Sequence, residues 1–259
     1  MKPFNFGTNT KMYKTIRETV AYLADLDAKT QDLDRTQTKL FVIPSYTSLD
    51  AASHTVSPER ILLGAQNMCW ESEGQFTGEI SPRMLAEVGV RIVELGHSER
   101  RHVFGETDAM VRNKVRCAME NGFITLLCIG ETGEQKALGL AAETLRIQLK
   151  TDLFDVTEAQ VNRLWVAYEP VWAIGTNGVP ASEAYVANMH AIIRNTLCER
   201  FPTAGVDVPI LYGGSVNPQN AVALSRQAQV NGLFIGRSAW DADRFNHIIR
   251  AVLSDLAAQ

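Results

Sequence analysis

Apolar residues along the chain gather into eight short runs separated by longer amphipathic stretches. The runs are FNFGT (4–8), KLFVIP (39–44), RILLGAQN (60–67), VRIVELG (90–96), FITLLCIG (123–130), LWVAY (164–168), VPILYGG (208–214) and NGLFIG (231–236). None alternates strictly between apolar and polar residues, so each reads as a strand buried on both faces, the habit of parallel sheets. Helical patterns fill the intervals at about 15–29, 108–121, 134–150, 183–197 and 242–257. Ser81 and Ser182 sit where N-caps belong, Pro82 takes a first helical position, and Gly89 and Gly122 close helices. Thr157 with Gln160 makes a capping box for a short helix, and Asn217 with Pro218 is expected to start another.

Eight strand–helix units in about 250 residues is the arithmetic of one (β/α)8 barrel, expected here as a single α/β domain over residues 1–259. The competing doubly wound sheet would carry a glycine-rich fingerprint after its first strand, and FGTNTK is not one. No linker or low-complexity segment divides the chain.

A net charge of −4 without a basic stripe argues against a nucleic-acid partner. The apolar runs are too short to span a bilayer, and MKPFNFGTNTK lacks the apolar core of a signal peptide; a cytoplasmic location is expected. Four cysteines without C-x-x-C spacing read as reduced thiols, and no metal site is expected.

In such a barrel the C-terminal strand ends converge on one mouth. They deliver Asn9 and Lys11, Gln66 and Asn67, His97, Glu131, Glu169, Ser215, and Gly236 with Arg237. A carboxylate, an imidazole and an ammonium group from three strands form a set suited to proton abstraction beside a carbonyl. Glu169 stands at the root of Pro170-Val171-Trp172-Ala173-Ile174-Gly175-Thr176, a loop apolar enough to close as a lid and exclude water. The bland readings are a solvated glutamate before a turn, a surface lysine at 11, a helix-start pair at Glu99 and Arg100, and a mouth brace at Glu131. His54, His102, His190 and His247 read as structural or surface. YGGSVNP and GLFIGRSAW place glycines before helix starts, where backbone N–H groups hold phosphate without net positive charge.

With these residues in view, the chain resembles the triosephosphate isomerase family along essentially its whole length. The matching motifs are NTKM (9–12), AQN (65–67), FTGE (76–79), VELGHSERR (93–101), CIGE (128–131), AYEPVWAIGT (167–176) and YGGSVNP (212–218). The resemblance implies Glu169 as base, His97 as electrophile, Asn9 and Lys11 as the substrate-binding pair, and Gly175, Ser215, Gly236 and Arg237 at phosphate-binding positions. Glu99 is the next candidate among the catalytic residues. It also implies a neutral His97 kept so by a helix N-terminus, for which triosephosphate isomerase is itself the familiar illustration. No cofactor is implied. The partner expected is a small phosphorylated ketose, together with a second copy of the chain, a homodimer formed through loop 68–81.

Three departures stand out: Thr10 where the family has Trp, Asn177-Gly178-Val179-Pro180 at the lid's end, and Arg237 in place of a second glycine. IGTNGVPAS with GLFIGRSAW resembles the erythrulose-phosphate isomerases of tetritol catabolism, whose substrate adds one hydroxymethyl group to dihydroxyacetone phosphate. The alternatives are a glycolytic triosephosphate isomerase, a Schiff-base aldolase using Lys11, which has no second lysine nearby to lower its pKa, and a non-catalytic sugar-phosphate binder.

Overall fold

Eight parallel strands close into a barrel in the order β1 to β8, each hydrogen-bonded to its sequence neighbours and β8 to β1. The computed structural model describes residues 2–175 and 178–258, so Thr176, the last lid position, lies outside the described residues. The strands are β1 (Phe4–Asn9), β2 (Thr38–Ile43), β3 (Leu62–Ala65), β4 (Ile92–Leu95), β5 (Ile124–Ile129), β6 (Leu164–Tyr168), β7 (Ile210–Tyr212) and β8 (Gly232–Phe234). The helices are α1 (Ile16–Thr30), α2 (Leu49–Ser53), α3 (Pro82–Glu87), α4 (Ser98–His102), α5 (Asp108–Glu120), α6 (Gly133–Ala137), α7 (Ala141–Asp152), α8 (Glu183–Arg200), α9 (Ala221–Ser225) and α10 (Ala242–Leu256).

The unbroken apolar runs are explained by two separate cores. Phe41, Ile43, Ile92, Leu126, Trp165, Leu211 and Phe234 fill the barrel interior. The opposite parity of each strand, such as Val42, Val93, Leu127 and Val166, packs outward against the helices. A side chain's parity therefore decides whether it faces the interior or the helix layer.

The N-caps of Ser81 and Ser182 are present, their hydroxyls accepting from Met84 and Tyr185 N–H. The short helix after Thr157 carries the expected capping box with Gln160, and differs only in being 3-10 in type. Two expectations need correction. The pattern at 134–150 is two helices, α6 and α7, because Gly139 turns into the left-handed region at φ 74° between them. The helix expected at Asn217 begins only at Ala221, because Asn217 Oδ1 accepts from the N–H groups of Gln219 and Asn220 and holds a turn there. No helix among the described residues is long and apolar enough to cross a membrane.

Candidate active site

The strand ends named above surround one cavity of about 430 Å³, lined by Asn9, Lys11, His97, Glu99 and Glu169 on one side. Gly175, Ser215, Gly236 and Arg237 line its other parts, with Ala173 and Ile174 of the lid. That volume lies in the range of small-ligand pockets. All the candidate binding and catalytic side chains thus meet in one place. Gln66, Asn67 and Glu131 do not line it.

Glu169 follows β6 immediately and is 4% exposed. Its Oε2 has no hydrogen-bond partner and lies 3.8 Å from His97 Nε2. Buried carboxylate oxygens are normally satisfied, so an orphan facing a cavity is poised for something absent from the chain itself. Gly213, after β7, makes room for it: a Cβ there would stand 2.7 Å from Glu169 Cγ.

His97 caps α4. Its Nδ1 accepts from Glu99 N–H at 3.1 Å, which assigns the ring proton to Nε2, the nitrogen facing Glu169. Arg101 braces the turn beneath it, donating to Gly96 O and to Asp152 at 2.6 Å.

Lys11 is held in the left-handed region at φ 51°, unusual for a side-chain-bearing residue. Two tethers keep it there: Asn9 Oδ1 accepts its N–H at 2.6 Å, and Gln66 Nε2 donates to its carbonyl at 2.8 Å. Its Nζ pairs with Glu99 at the rim. Trp240 from beyond β8 donates to Asn9 O at 2.9 Å, tying the first and last strands' loops together.

The lid is anchored away from the cavity's polar groups. Trp172 Nε1 donates to Glu131 Oε1 at 2.7 Å, Tyr185 and Tyr168 hydroxyls donate to the same carboxylate, and Lys136 Nζ lies 3.3 Å from the Trp172 ring centroid. Glu131 is therefore a brace for the mouth and lid.

Two buried residues behind the cavity lining carry no sequence signal strong enough to mark them as part of the site. Glu94, on the inward parity of β4, is fully buried, and Cys128 lies inward on β5. Their ligand atoms and those of Glu169 fall within 4.8 Å of one another. Burial, reinforced by the neighbouring Glu169, pushes the Glu94 carboxyl well up, and burial likewise raises the Cys128 thiol. A protonated acid and a protonated thiol are poor metal ligands, and we assign the cluster no ion. The signal for Glu94 was a lone charge in an otherwise apolar strand at the same parity as Ile92.

A closed parallel barrel with carboxylate, imidazole, ammonium and glycine-rich turns gathered at the C-terminal strand ends has the arrangement of barrel enzymes, whose active sites lie at that face. The profile of triosephosphate isomerase matches residues 5–252. The chain belongs to that family and is an isomerase. It is 44% identical over 244 residues to L-erythrulose-1-phosphate isomerase of Mesorhizobium japonicum, covering 94% of each chain. It is 44% identical over 252 residues to the protein of the same name in Rhizobium meliloti, covering 95% of each. Triosephosphate isomerase of Aquifex aeolicus is 39% identical over 243 residues, 94% of this chain and 97% of its own. The crystal structure of triosephosphate isomerase from Bartonella henselae superposes with a TM-score of 0.86 at 36% identity, over 96% of this chain and 98% of that one.

Proposed function

We propose that this isomerase interconverts L-erythrulose 1-phosphate and D-erythrulose 4-phosphate through an enediolate. The observation that carries the reading is the unpartnered, buried Glu169 Oε2 facing His97 Nε2 across the floor of the cavity. Glu169 takes the proton from C3, the carbon bearing the extra hydroxymethyl group. His97 donates its Nε2–H to the C2 carbonyl oxygen, and Lys11 balances the negative charge that develops there. His97 Nε2 then takes the proton of the C3 hydroxyl, which restores the imidazole, and Glu169 returns the carbon proton to C2, so that the carbonyl moves to C3. The stereocentre moves with it, and the face of protonation is set by where Glu169 stands. Electrons shift only within the substrate, so the reaction needs no cofactor.

Gly175, Ser215, Gly236 and Arg237 hold the phosphate, mainly through backbone N–H groups at the turns after β7 and β8. Glu99 acts at the rim, where it steadies Lys11. Closure of the lid, with Thr176 at its end, excludes water from the enediolate. We also propose that the protein works as a homodimer through loop 68–81. Phe76 in that loop is 41% exposed, and Met12, beside Lys11, is 95% exposed. Met68 contributes nothing to such a contact, since it is buried in the chain's own core.

The relatives named L-erythrulose-1-phosphate isomerase support the four-carbon substrate, and the Aquifex relative keeps triose phosphate as the second reading. Rates measured side by side on L-erythrulose 1-phosphate and dihydroxyacetone phosphate decide between them. The tetrulose phosphate is expected to have the higher kcat/KM, with slow turnover of the triose. Preference for the triose with no four-carbon turnover would restore the second reading.

A further inference from the structure

We propose that Glu94 is a positioning residue of this site: a buried, neutral carboxyl group that tethers Asn9, and through it Lys11, to β4, and adds no charge beside Glu169. The inference rests on the reading of Glu169 as the base.

The tether is explicit. Glu94 Oε2 accepts from Asn9 Nδ2 at 2.6 Å, across the barrel from β4 to β1. With its amide N–H so engaged, Asn9 has one orientation, Oδ1 toward the N–H of Lys11. That contact holds the left-handed backbone from which the Lys11 side chain enters the cavity. The chain Glu94–Asn9–Lys11 therefore fixes the one lysine of the cavity lining.

The charge state follows from what surrounds the group. Facing Glu94 are Glu169 beyond β6, Cys128 on β5, His97 beyond β4 with Glu99 after it, and Lys11 beyond β1. The only full cation is Lys11, and its Nζ is engaged by Glu99. His97 Nε2 stands 3.9 Å from Glu94 Oε1, outside hydrogen-bond range. A second buried carboxylate beside Glu169 without a cation of its own is disfavoured, and burial holds the Glu94 proton in place. Oε2 accepts from Asn9 Nδ2, and Oε1 accepts only the long contact of 3.7 Å from the Cys128 thiol.

A neutral Glu94 spares both the base and the enediolate a repelling charge beside them. Glu94→Gln keeps the acceptor and the neutrality, so kcat/KM near neutral pH should stay close to wild type with its acid limb unmoved. Wild type should lose activity on a basic limb as rising pH ionises Glu94, and that limb should vanish in the glutamine variant. Glu94→Leu fills the space without the tether and should lower kcat/KM roughly 10- to 100-fold through misplacement of Lys11. An acid limb shifted to lower pH in Glu94→Gln would show that Glu94 had been charged, and full activity in Glu94→Leu would remove the tether; either overturns the proposal. Infrared difference spectra of wild type against Glu94→Gln, without substrate, should contain a protonated-carboxyl band at neutral pH; its absence would also overturn it. If neither ketose phosphate is turned over, the functional reading fails, while the infrared measurement still decides the state of Glu94.

Discussion

Gly213→Ala puts the placement of Glu169 under direct test. The added Cβ would stand 2.7 Å from Glu169 Cγ and 3.1 Å from Oε1, against ordinary contacts of 3.4–4 Å. Relief to 3.4 Å requires Glu169 Cγ to retreat by about 0.7 Å, and a displacement approaching ~1 Å in a reacting group costs on the order of 100-fold in rate. The backbone at Gly213 is not left-handed, so alanine introduces no strain there. The clash falls on the side chain of Glu169, which has the cavity beside it. The fold should therefore be spared: a loss of about 100-fold in kcat, a smaller change in KM, and a thermal midpoint within a few degrees of wild type. Steady-state kinetics on L-erythrulose 1-phosphate and a melting curve supply the measurements. A wild-type kcat would refute the argument that Glu169 must occupy this position, and a collapsed melting temperature would show that the contact is structural.

Glu169→Asp withdraws the same carboxylate by one methylene and should depress kcat far more than substrate affinity, read from the same kinetics; an unchanged kcat would move the base to another residue. His190, fully buried between Tyr168 and Tyr212, donates from Nδ1 to Gln229 O, and burial lowers its pKa from 6.5 to about 4. Because the folded value is depressed, its contribution is complete above pH 6.5 and is lost as pH falls toward 4, roughly 3 kcal/mol in all. Thermal midpoints across that window should fall less steeply in His190→Gln, and equal slopes would contradict the assignment. Light scattering at working concentration should give at least a dimer, and a fully active monomer would end that proposal.

The barrel was legible because a strand buried on both faces leaves an unbroken apolar run, and eight such runs admit few architectures. The strand-end residues were legible for the same reason, since barrel topology sends Asn9, His97 and Glu169 to one rim whatever their side chains do. Local competition was not legible. The pattern at 134–150 continues through Gly139, and only the folded chain shows that the glycine breaks it. Asn217 looked like a helix start, but its side chain holds a turn that delays the helix. Glu94 was illegible for a different reason: its meaning depends on Asn9, 85 positions away, and Cys128, 34 positions away. Alternation fixes that Glu94 points inward; it says nothing of what it meets there.

The polar groups already paired within the site set the scale of its selectivity. In the proposed reaction Glu169, His97 and Lys11 act on carbons that the three- and four-carbon substrates share, so they would not distinguish the two. Discrimination must come from the surroundings of the additional hydroxymethyl group. A site that reserves a buried donor or acceptor for a substrate hydroxyl can reject the smaller analogue by ~10⁴-fold, because the reserved group is left unpaired. Asn9 and Lys11 are already engaged within the chain: Asn9 Nδ2 donates to Glu94, Asn9 Oδ1 accepts from Lys11 N–H, and Lys11 Nζ pairs with Glu99. The orphan Glu169 Oε2 is assigned, in the proposed reaction, to a proton transfer that both substrates require. Missing volume alone is worth ~1–3 kcal/mol, or about 10–200-fold. The ratio of kcat/KM between the two ketose phosphates should fall within that span. A ratio near 10⁴ would mean that substrate binding frees or brings in a polar group that is engaged or distant in this structure.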